Sequence, residues 1–311
     1  MADGSSARSH PRPGLARPGL FFTGTPLLAM LTRLEFQNHP FHGPVHEGAL
    51  ALQRDGHYLR RGVLSPDEVE DLRHEVLEVY RTVPPDLRAG RVSVEDAEMY
   101  RYEMFNRSWL VQRVVARREL LDVVEPLLGQ DCHLVNCTAW RNPPGNEDAP
   151  DGLYWHVDGG PHVPRRADVP WPAEIPYPVF VIATHVYLQD VERADGPTAF
   201  VNGSHTSGRI PPRDRRWHHE LDYGGGGCVA HLARAGDVGF FVSDVWHRRL
   251  PPAPEGRGRF FLQSNYGRRE IAQRILPPDE VSHARPHAIE RARDARELEL
   301  IGVHPQCFYD G

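Results

Sequence analysis

The sequence contains no lysine, so all 36 basic residues of this 311-residue chain are arginines. The absence excludes every mechanism that depends on a lysine amine, including Schiff-base chemistry and the phosphate-binding lysines of P-loop proteins and kinases. An anionic ligand must therefore be held by arginine, whose planar guanidinium pairs with a carboxylate through two parallel hydrogen bonds.

Cysteine and long apolar runs are also scarce. The four cysteines form no Cys-x-x-Cys pair, which argues against a zinc ribbon or a disulfide framework and favours a reducing cytoplasm. No apolar run approaches the ~20 residues of a membrane span. The net charge of −6 gives no reason to expect nucleic-acid binding. We expect a cytoplasmic monomer or homodimer that binds a small molecule and no membrane.

The length allows one large domain with a full core. We expect that domain to span residues 36–311, with a core at 55–269 and a C-terminal helical extension at 279–311. Residues 1–35 are rich in Arg, Pro, Gly and Ser. They are predicted to be a disordered tail, or upstream sequence included by a wrongly chosen start with Met30 as the true one. A signal peptide is less favoured because Gly and Pro interrupt its apolar part.

Helices are predicted in the first half of the core. A short strand is expected at 56–64, and Ser65 and Glu68 form a capping box before a helical stripe that extends to about Tyr80. The stripe consists of Val69, Leu72, Val76 and Val79. Residues 108–128 are predicted to be helical, with a break near Pro126. Residues 279–300 are predicted to form an exposed helix because Arg and Glu alternate there.

The second half of the core is predicted to be β-rich. Candidate strands lie at 132–140, 153–158, 179–190, 198–201, 237–242 and 259–266. Many short strands separated by Pro- and Gly-rich turns favour a sandwich or barrel, so the fold class is mainly β with flanking helices (α+β). Two long loops, 159–178 and 205–235, are typical of functional lids or disordered insertions.

The segment Trp155-His156-Val157-Asp158 carries the strongest chemical indication. On an extended strand, His156 and Asp158 point to the same side. A second histidine, His247, follows far downstream after an apolar strand. Two histidines and one carboxylate can hold a non-haem Fe(II) on one face and leave the opposite positions open. With 18 histidines in the chain, His-x-Asp alone is a weak indication, and a surface histidine beside a solvated aspartate is the alternative.

Two arginines follow His247 at the start of the last predicted strand. An arginine that points into a barrel needs an anionic partner, because an unpaired buried charge is very costly. A dicarboxylate co-substrate would supply one. Arg259 is the preferred candidate because it begins the strand, and Arg257 is the alternative. Both are also compatible with a solvated loop end.

These motifs, in this order, resemble the phytanoyl-CoA dioxygenase-like family of Fe(II)/2-oxoglutarate oxygenases over residues 55–269. The resemblance also includes Gly196-Pro197 through His205, and Gly236-Asp237 before Trp246-His247. It implies a double-stranded β-helix, the jelly-roll core of cupin-like proteins. It implies His156, Asp158 and His247 as iron ligands and catalytic residues, and a downstream arginine on the distal carboxylate of 2-oxoglutarate.

The resemblance also suggests co-substrate contacts and shows departures. His185, and Thr198 in the Gly-Pro-Thr turn, are candidates for contacts to 2-oxoglutarate. Where the family commonly has a small polar residue two positions after the distal histidine, this chain has Arg249. An amide that often separates the first two ligands is replaced by Val157, and Asn202 stands where the family commonly has Pro.

The resemblance implies an oxygenase that consumes Fe(II), 2-oxoglutarate and O2 and releases succinate and CO2. Asp158 favours hydroxylation over halogenation, since related halogenases replace this acid with a small residue. The expected substrate is a small natural product or an amino-acid-like molecule. Candidate pocket residues are Tyr102, Phe105, Trp171 and Asn136. The alternatives are a cupin-like hydrolase or isomerase that uses zinc, and a non-catalytic binding protein on the same scaffold.

Overall fold

The structure is a computed structural model that describes residues 43–85, 98–144, 152–167, 169–173, 175–273 and 284–304. The predicted N-terminal tail, residues 1–35, lies outside the described residues, as do 279–283 and 305–311 of the predicted C-terminal extension. In the described part of the chain, no helix combines the length and the apolar character needed to cross a membrane.

The first elements are helix α1 (Glu47–Asp55), strand β1 (His57–Arg60) and helix α2 (Pro66–Thr82). The predicted capping box is present, because the Ser65 side chain accepts from the backbone of Glu68 and the Glu68 carboxylate accepts from the backbone of Ser65. The predicted stripe is confirmed, since all four of its residues are buried on one face of α2.

Three helices, each shorter than α2, follow strand β2 (Tyr100–Arg101). They are α3 (Met104–Arg107), α4 (Trp109–Val115) and α5 (Arg118–Leu128). The prediction of one helix over 108–128 with a break near Pro126 is wrong. The chain breaks at residues 116–117, and Pro126 lies inside α5. Near the end of the helix a proline removes a single backbone hydrogen bond, so α5 continues to Leu128.

The larger sheet has six antiparallel strands in the order β1-β7-β4-β9-β3-β2. Its remaining members are β3 (His133–Asn142), β4 (Val181–Tyr187), β7 (Val238–Val242) and β9 (Arg259–Gly267). These four match the strands predicted at 132–140, 179–190, 237–242 and 259–266. Residues on alternate positions face opposite ways, so one face packs against the helices and the other faces the smaller sheet.

The smaller sheet has the order β6-β5-β8, with β5 (Thr198–Val201), β6 (Cys228–Ala230) and β8 (His247–Arg249). Phe200 of β5 packs 5.1 Å from Phe241 of β7, so the two sheets enclose a common interior. The antiparallel sheets and outer helices agree with the expected α+β jelly-roll fold.

Two further predictions need correction. Residues 153–158 are not a regular strand, because only His156 forms a β-bridge there, with His247, while the N–H groups of Trp155 and Asp158 donate to loop carbonyls. The described part of 279–300 forms two short helices, α6 (Pro286–Glu290) and α7 (Ala295–Leu300), and is not simply exposed. Leu298 and Leu300 are buried, since the helices pack against the body of the molecule.

Candidate metal centre and its cavity

A pair of backbone hydrogen bonds brings the two candidate histidine ligands together. The N–H of His156 donates to the carbonyl of His247 at 2.9 Å, and the N–H of His247 donates back at 3.0 Å. The Asp158 N–H donates to the Ser243 carbonyl at 2.9 Å, which places the aspartate beside the same turn. The three side chains offer ligand atoms that all lie within 4.8 Å of one another.

Hydrogen bonds also orient both imidazoles. Nδ1 of His156 lies 2.9 Å from the Tyr154 carbonyl, and Nδ1 of His247 lies 2.9 Å from the Val245 carbonyl. A carbonyl only accepts, so each Nδ1 carries the hydrogen and each Nε2 keeps its lone pair. Each Nε2 lies 3.7 Å from an oxygen of Asp158. The lone pairs and the carboxylate therefore converge on one point.

The electrostatics and donor chemistry of this cluster fit a divalent metal. Burial, together with the nearby His156, lowers the pKa of His247 to about 4. The imidazole is therefore neutral at neutral pH, which is the state that binds a metal. In the described part of the chain no fourth His, Cys, Asp or Glu joins the cluster, so the donor set leaves positions open as an Fe(II) oxygenase site requires.

The three side chains line a cavity of about 1180 Å³ between the two sheets. Tyr102, Asn136, His185, Thr198 and Arg259, which the sequence predicts as pocket or co-substrate residues, line the same cavity. Asp158 is the one acidic residue among the described residues of the lining.

Arg259 lines this cavity and is almost fully buried. Its guanidinium donates to Thr198 Oγ1 at 2.7 Å and to Asn142 Oδ1 at 2.7 and 3.0 Å. Burial, reinforced by the positive charge of Arg249, lowers the pKa of Arg259 to about 9. Both of its partners are neutral, so the geometry leaves the guanidinium suited to an anionic ligand.

The alternative arginine, Arg257, lies outside the cavity. Its side chain is 57% exposed and pairs with Asp195 at 3.1 Å. The two residues differ because β9 begins at Arg259, so that Arg259 takes the inward-facing position while Arg257 remains in the preceding loop. The expectation that Arg257 reaches the co-substrate is therefore not met by this structure.

Two of the predicted pocket residues also lie elsewhere. Phe105 is fully buried in the main core, where α3 packs against β3. Trp171 packs within its own loop, with its ring 5.1 Å from that of Tyr177 and the Arg165 guanidinium 5.0 Å from its centre. Both side chains are used in packing and neither lines the cavity with the metal ligands.

His185 projects from β4 into the cavity beside an aromatic group. Its ring lies 4.3 Å from that of Phe261 and 5.1 Å from that of Phe241. Burial and the neighbouring Arg259 hold the pKa of His185 well below its ordinary value, so the ring is neutral.

One wall of the cavity consists of cross-strand pairs between β3 and β9. In order along β3, the pairs are Asn136 with Asn265, Thr138 with Gln263 and Trp140 with Phe261. The indole nitrogen of Trp140 is buried and has no hydrogen-bond partner among the described residues. The wall therefore presents uncharged donors and acceptors at one end and aromatic surface at the other.

A second polar group joins the loop at 159–178 to the metal centre. Asp244 is buried and accepts from Tyr177 Oη at 2.6 Å and from His162 Nδ1 at 2.6 Å. It also accepts from the backbone N–H of His162 at 3.0 Å. His162 lines the cavity. Sequence reasoning identified the loop but missed Asp244 and His162, because an Asp in a turn and a His in a loop carry no spacing pattern.

Comparison with known proteins decides the family. The sequence profile of the phytanoyl-CoA dioxygenase (PhyH) family matches residues 52–249, which is more than half of the chain. The chain belongs to this family. Members of the phytanoyl-CoA dioxygenase family use Fe(II) and 2-oxoglutarate, and the cluster of His156, Asp158 and His247 supplies the matching candidate ligands. No curated protein sequence matches the chain significantly.

Solved structures share the fold at low identity. The epimerase SnoN in complex with Fe3+, α-ketoglutarate and nogalamycin RO is 19% identical, with a TM-score of 0.55 over 77% of this chain and 92% of that one. HygX from Streptomyces hygroscopicus, with nickel, 2-oxoglutarate and hygromycin B bound, is 16% identical, with a TM-score of 0.54 over 77% and 94%. Apo EctD from S. alaskensis is 21% identical, with a TM-score of 0.58 over 85% and 90%.

Proposed function

We propose that this protein hydroxylates a neutral small molecule in an Fe(II)- and 2-oxoglutarate-dependent reaction that consumes O2 and releases succinate and CO2. The observation that carries the proposal is the convergence of His156, Asp158, His247 and the buried Arg259 on one cavity. Hydroxylation is a narrower proposal than an Fe(II)- and 2-oxoglutarate-dependent reaction in general, because SnoN, which shares the fold, is an epimerase.

Each part of the site has a proposed role. His156, Asp158 and His247 hold Fe(II), which together with 2-oxoglutarate and O2 supplies the oxidising power. Arg259 pairs with the distal carboxylate of 2-oxoglutarate, and Thr198 keeps the guanidinium in place. The neutral ring of His185 packs beside the co-substrate with Phe261, which excludes water from that end of the cavity.

The cavity lining supports an uncharged, hydroxyl- or carbonyl-bearing substrate. Asn136, Thr138, Gln263 and Asn265 offer neutral hydrogen-bonding groups along one wall, and Tyr102 lines the same cavity. A strongly cationic substrate is disfavoured, because the described lining holds no acid besides the metal ligand. The volume of about 1180 Å³ exceeds that of a typical ligand pocket and leaves room for co-substrate and substrate together.

The neighbours support a natural-product substrate class. SnoN was crystallised with nogalamycin RO, and HygX was crystallised with hygromycin B. The buried Arg259 in the same cavity as the metal ligands favours an anionic co-substrate such as 2-oxoglutarate.

The first test is succinate formation by anaerobically purified protein given Fe(II), 2-oxoglutarate and air. We expect slow turnover in the absence of substrate, and its loss in His156→Ala, because removing one of three ligands breaks the metal site. His74→Ala is the matched control, since His74 is exposed on α2. Absence of both succinate and 2-oxoglutarate binding in the wild type would contradict the proposal.

The second test separates hydroxylation from other oxidations. Neutral natural products that stimulate succinate formation are incubated under 18O2, and the product masses are measured by mass spectrometry. Hydroxylation adds one labelled oxygen atom to the product. Loss of two hydrogens, or no change in mass, would instead indicate ring closure, desaturation or epimerisation.

A further inference from the structure

We infer that Arg249 is a second guanidinium of the co-substrate site, so that the distal carboxylate of 2-oxoglutarate lies between two arginines. The inference rests on the proposed function and extends it to Arg249, which is neither one of the three candidate metal ligands nor the arginine already assigned to 2-oxoglutarate. It predicts a stronger selection for a dicarboxylate co-substrate than Arg259 would give alone.

Strand geometry directs Arg249 toward the cavity. It lies two positions after His247 on β8, and alternate residues of a strand share a face. Arg249 therefore faces the same way as the metal ligand, and it lines the same cavity. Its partner across the sheet is Thr198, the residue whose hydroxyl accepts from Arg259. Both arginines are thus neighbours of one threonine.

The guanidiniums also share an anchor at the end of β3. Nη2 of Arg249 donates to the Pro143 carbonyl at 2.8 Å, while Arg259 donates to the side chain of the preceding residue, Asn142. A weaker contact joins Arg249 Nη2 to the Asp195 carbonyl at 3.4 Å. Backbone oxygens therefore hold the Arg249 side chain in place without neutralising its charge.

Part of the Arg249 side chain lacks a partner within the described residues. Its Nε is buried and forms no hydrogen bond there. A Cβ added at Gly196 would lie 3.0 Å from this nitrogen, so the glycine leaves the space that the arginine stem needs. An unsatisfied buried donor is costly, so the described part of the chain leaves the hydrogen-bonding capacity of Arg249 incompletely used.

The charges at this end of the cavity favour an anionic ligand. Among the described residues, neither arginine forms an ion pair with a carboxylate. Asp195 attracts Arg249 electrostatically, but the Asp195 carboxylate is already paired with Arg257. Two like charges in one buried region repel each other, and a carboxylate between them relieves the repulsion.

The test measures binding of two 2-oxoacids to the Mn(II)-loaded protein by calorimetry without oxygen. 2-Oxoglutarate carries the distal carboxylate, and 2-oxopentanoate has the same chain length without it. We expect Arg249→Gln to weaken 2-oxoglutarate binding by about tenfold or more, as loss of a charged contact does, and to leave 2-oxopentanoate unchanged. Arg249→Lys should restore most of the affinity, because it keeps the charge. Arg73→Gln, on the exposed face of α2, is the matched control and should behave as wild type.

The outcomes separate this inference from the proposed function. If the wild type binds 2-oxoglutarate and Arg249→Gln binds it equally well, the inference is wrong and the proposed function stands. Equal weakening of both 2-oxoacids would assign Arg249 a structural role and also overturn the inference. If the wild type binds neither 2-oxoacid, the proposed function itself fails.

Discussion

At the scale of single residues, Asn142 controls whether Arg259 is available to a ligand. We predict that Asn142→Asp stabilises the ligand-free protein by about 1 kcal/mol, because the buried guanidinium gains a charged partner. The same change should weaken 2-oxoglutarate binding by about tenfold, because the new carboxylate competes for Arg259. Thermal unfolding and calorimetry measure the two effects, which have opposite signs.

Asn265→Asp is the control for this pair of effects. It adds the same charge to the same cavity wall, at the pair with Asn136 and away from the Arg259 contact. It should leave 2-oxoglutarate affinity nearer to that of the wild type. Unchanged affinity in Asn142→Asp would show that Arg259 does not bind the co-substrate.

The same residues show how far sequence reasoning reaches. The spacing of His156 and Asp158 is sufficient to predict that the two side chains share a face. Arg257 and Arg259 are two positions apart and would share a face of one strand, so choosing between them required the first residue of β9, which leaves Arg257 in the preceding loop. Arg249 was identified only as a departure from the family pattern, and Asn142 was not identified at all. One lies on a strand of three residues, too short for a visible alternation, and the other lies beyond the predicted end of β3.

At the scale of elements, Asp244 ties the loop at 159–178 to the turn before β8. We predict that Asp244→Ala lowers the free energy of unfolding by about 2–3 kcal/mol, since Tyr177 Oη and the His162 N–H lose their buried acceptor. The released loop should also become sensitive to trypsin after Arg165 or Arg166. Urea unfolding and limited proteolysis with mass analysis measure the two effects.

Ser65→Ala provides the comparison for this prediction. It removes the N-cap of α2 and should cost about 1 kcal/mol without exposing the loop. An Asp244→Ala protein that resists trypsin as well as the wild type does would show that other contacts hold the loop.

Helices and strands could be predicted where residues close together in the sequence determine them. The α2 helix follows from its capping box and apolar stripe, and β5 matches the predicted residues 198–201 because turn residues bound an apolar run on both sides. The break between α4 and α5 carries no Gly or Pro, so the local pattern continues through it. The pairing at His156 depends on a partner far along the chain, and no local pattern encodes that contact.

At the scale of the whole molecule, the jelly roll shapes the interior on which the proposed function depends. Two sheets must close around a space that is polar enough to bind ligands and dry enough to shield chemistry. The structure meets both needs by placing neutral histidines among aromatic rings, so that His185 lies beside Phe241 and Phe261. The consequence is an interior that tolerates protonation poorly.

We therefore predict that the metal-free protein loses stability as the pH falls from 6.5 toward 4. Burial lowers the pKa of His133, His205 and His247 to about 4 each, from an ordinary value of 6.5, with neighbouring histidines adding to the effect at His133 and His247. Between these values the unfolded chain takes up protons that the folded chain does not. Each histidine then lowers the free energy of unfolding by up to about 1.4 kcal/mol per pH unit.

Urea unfolding at pH 7.5, 6.5 and 5.5 measures this slope on the apo protein. A His205→Gln variant should reduce the slope by the contribution of one proton, because glutamine does not titrate and its amide can replace the contact to the Gln53 carbonyl. Exposed His74 provides the comparison, since His74→Gln should leave the slope unchanged. Equal unfolding free energies at pH 7.5 and 5.5 would show that the buried histidines accept protons without unfolding, and that the interior is wetter than its packing indicates.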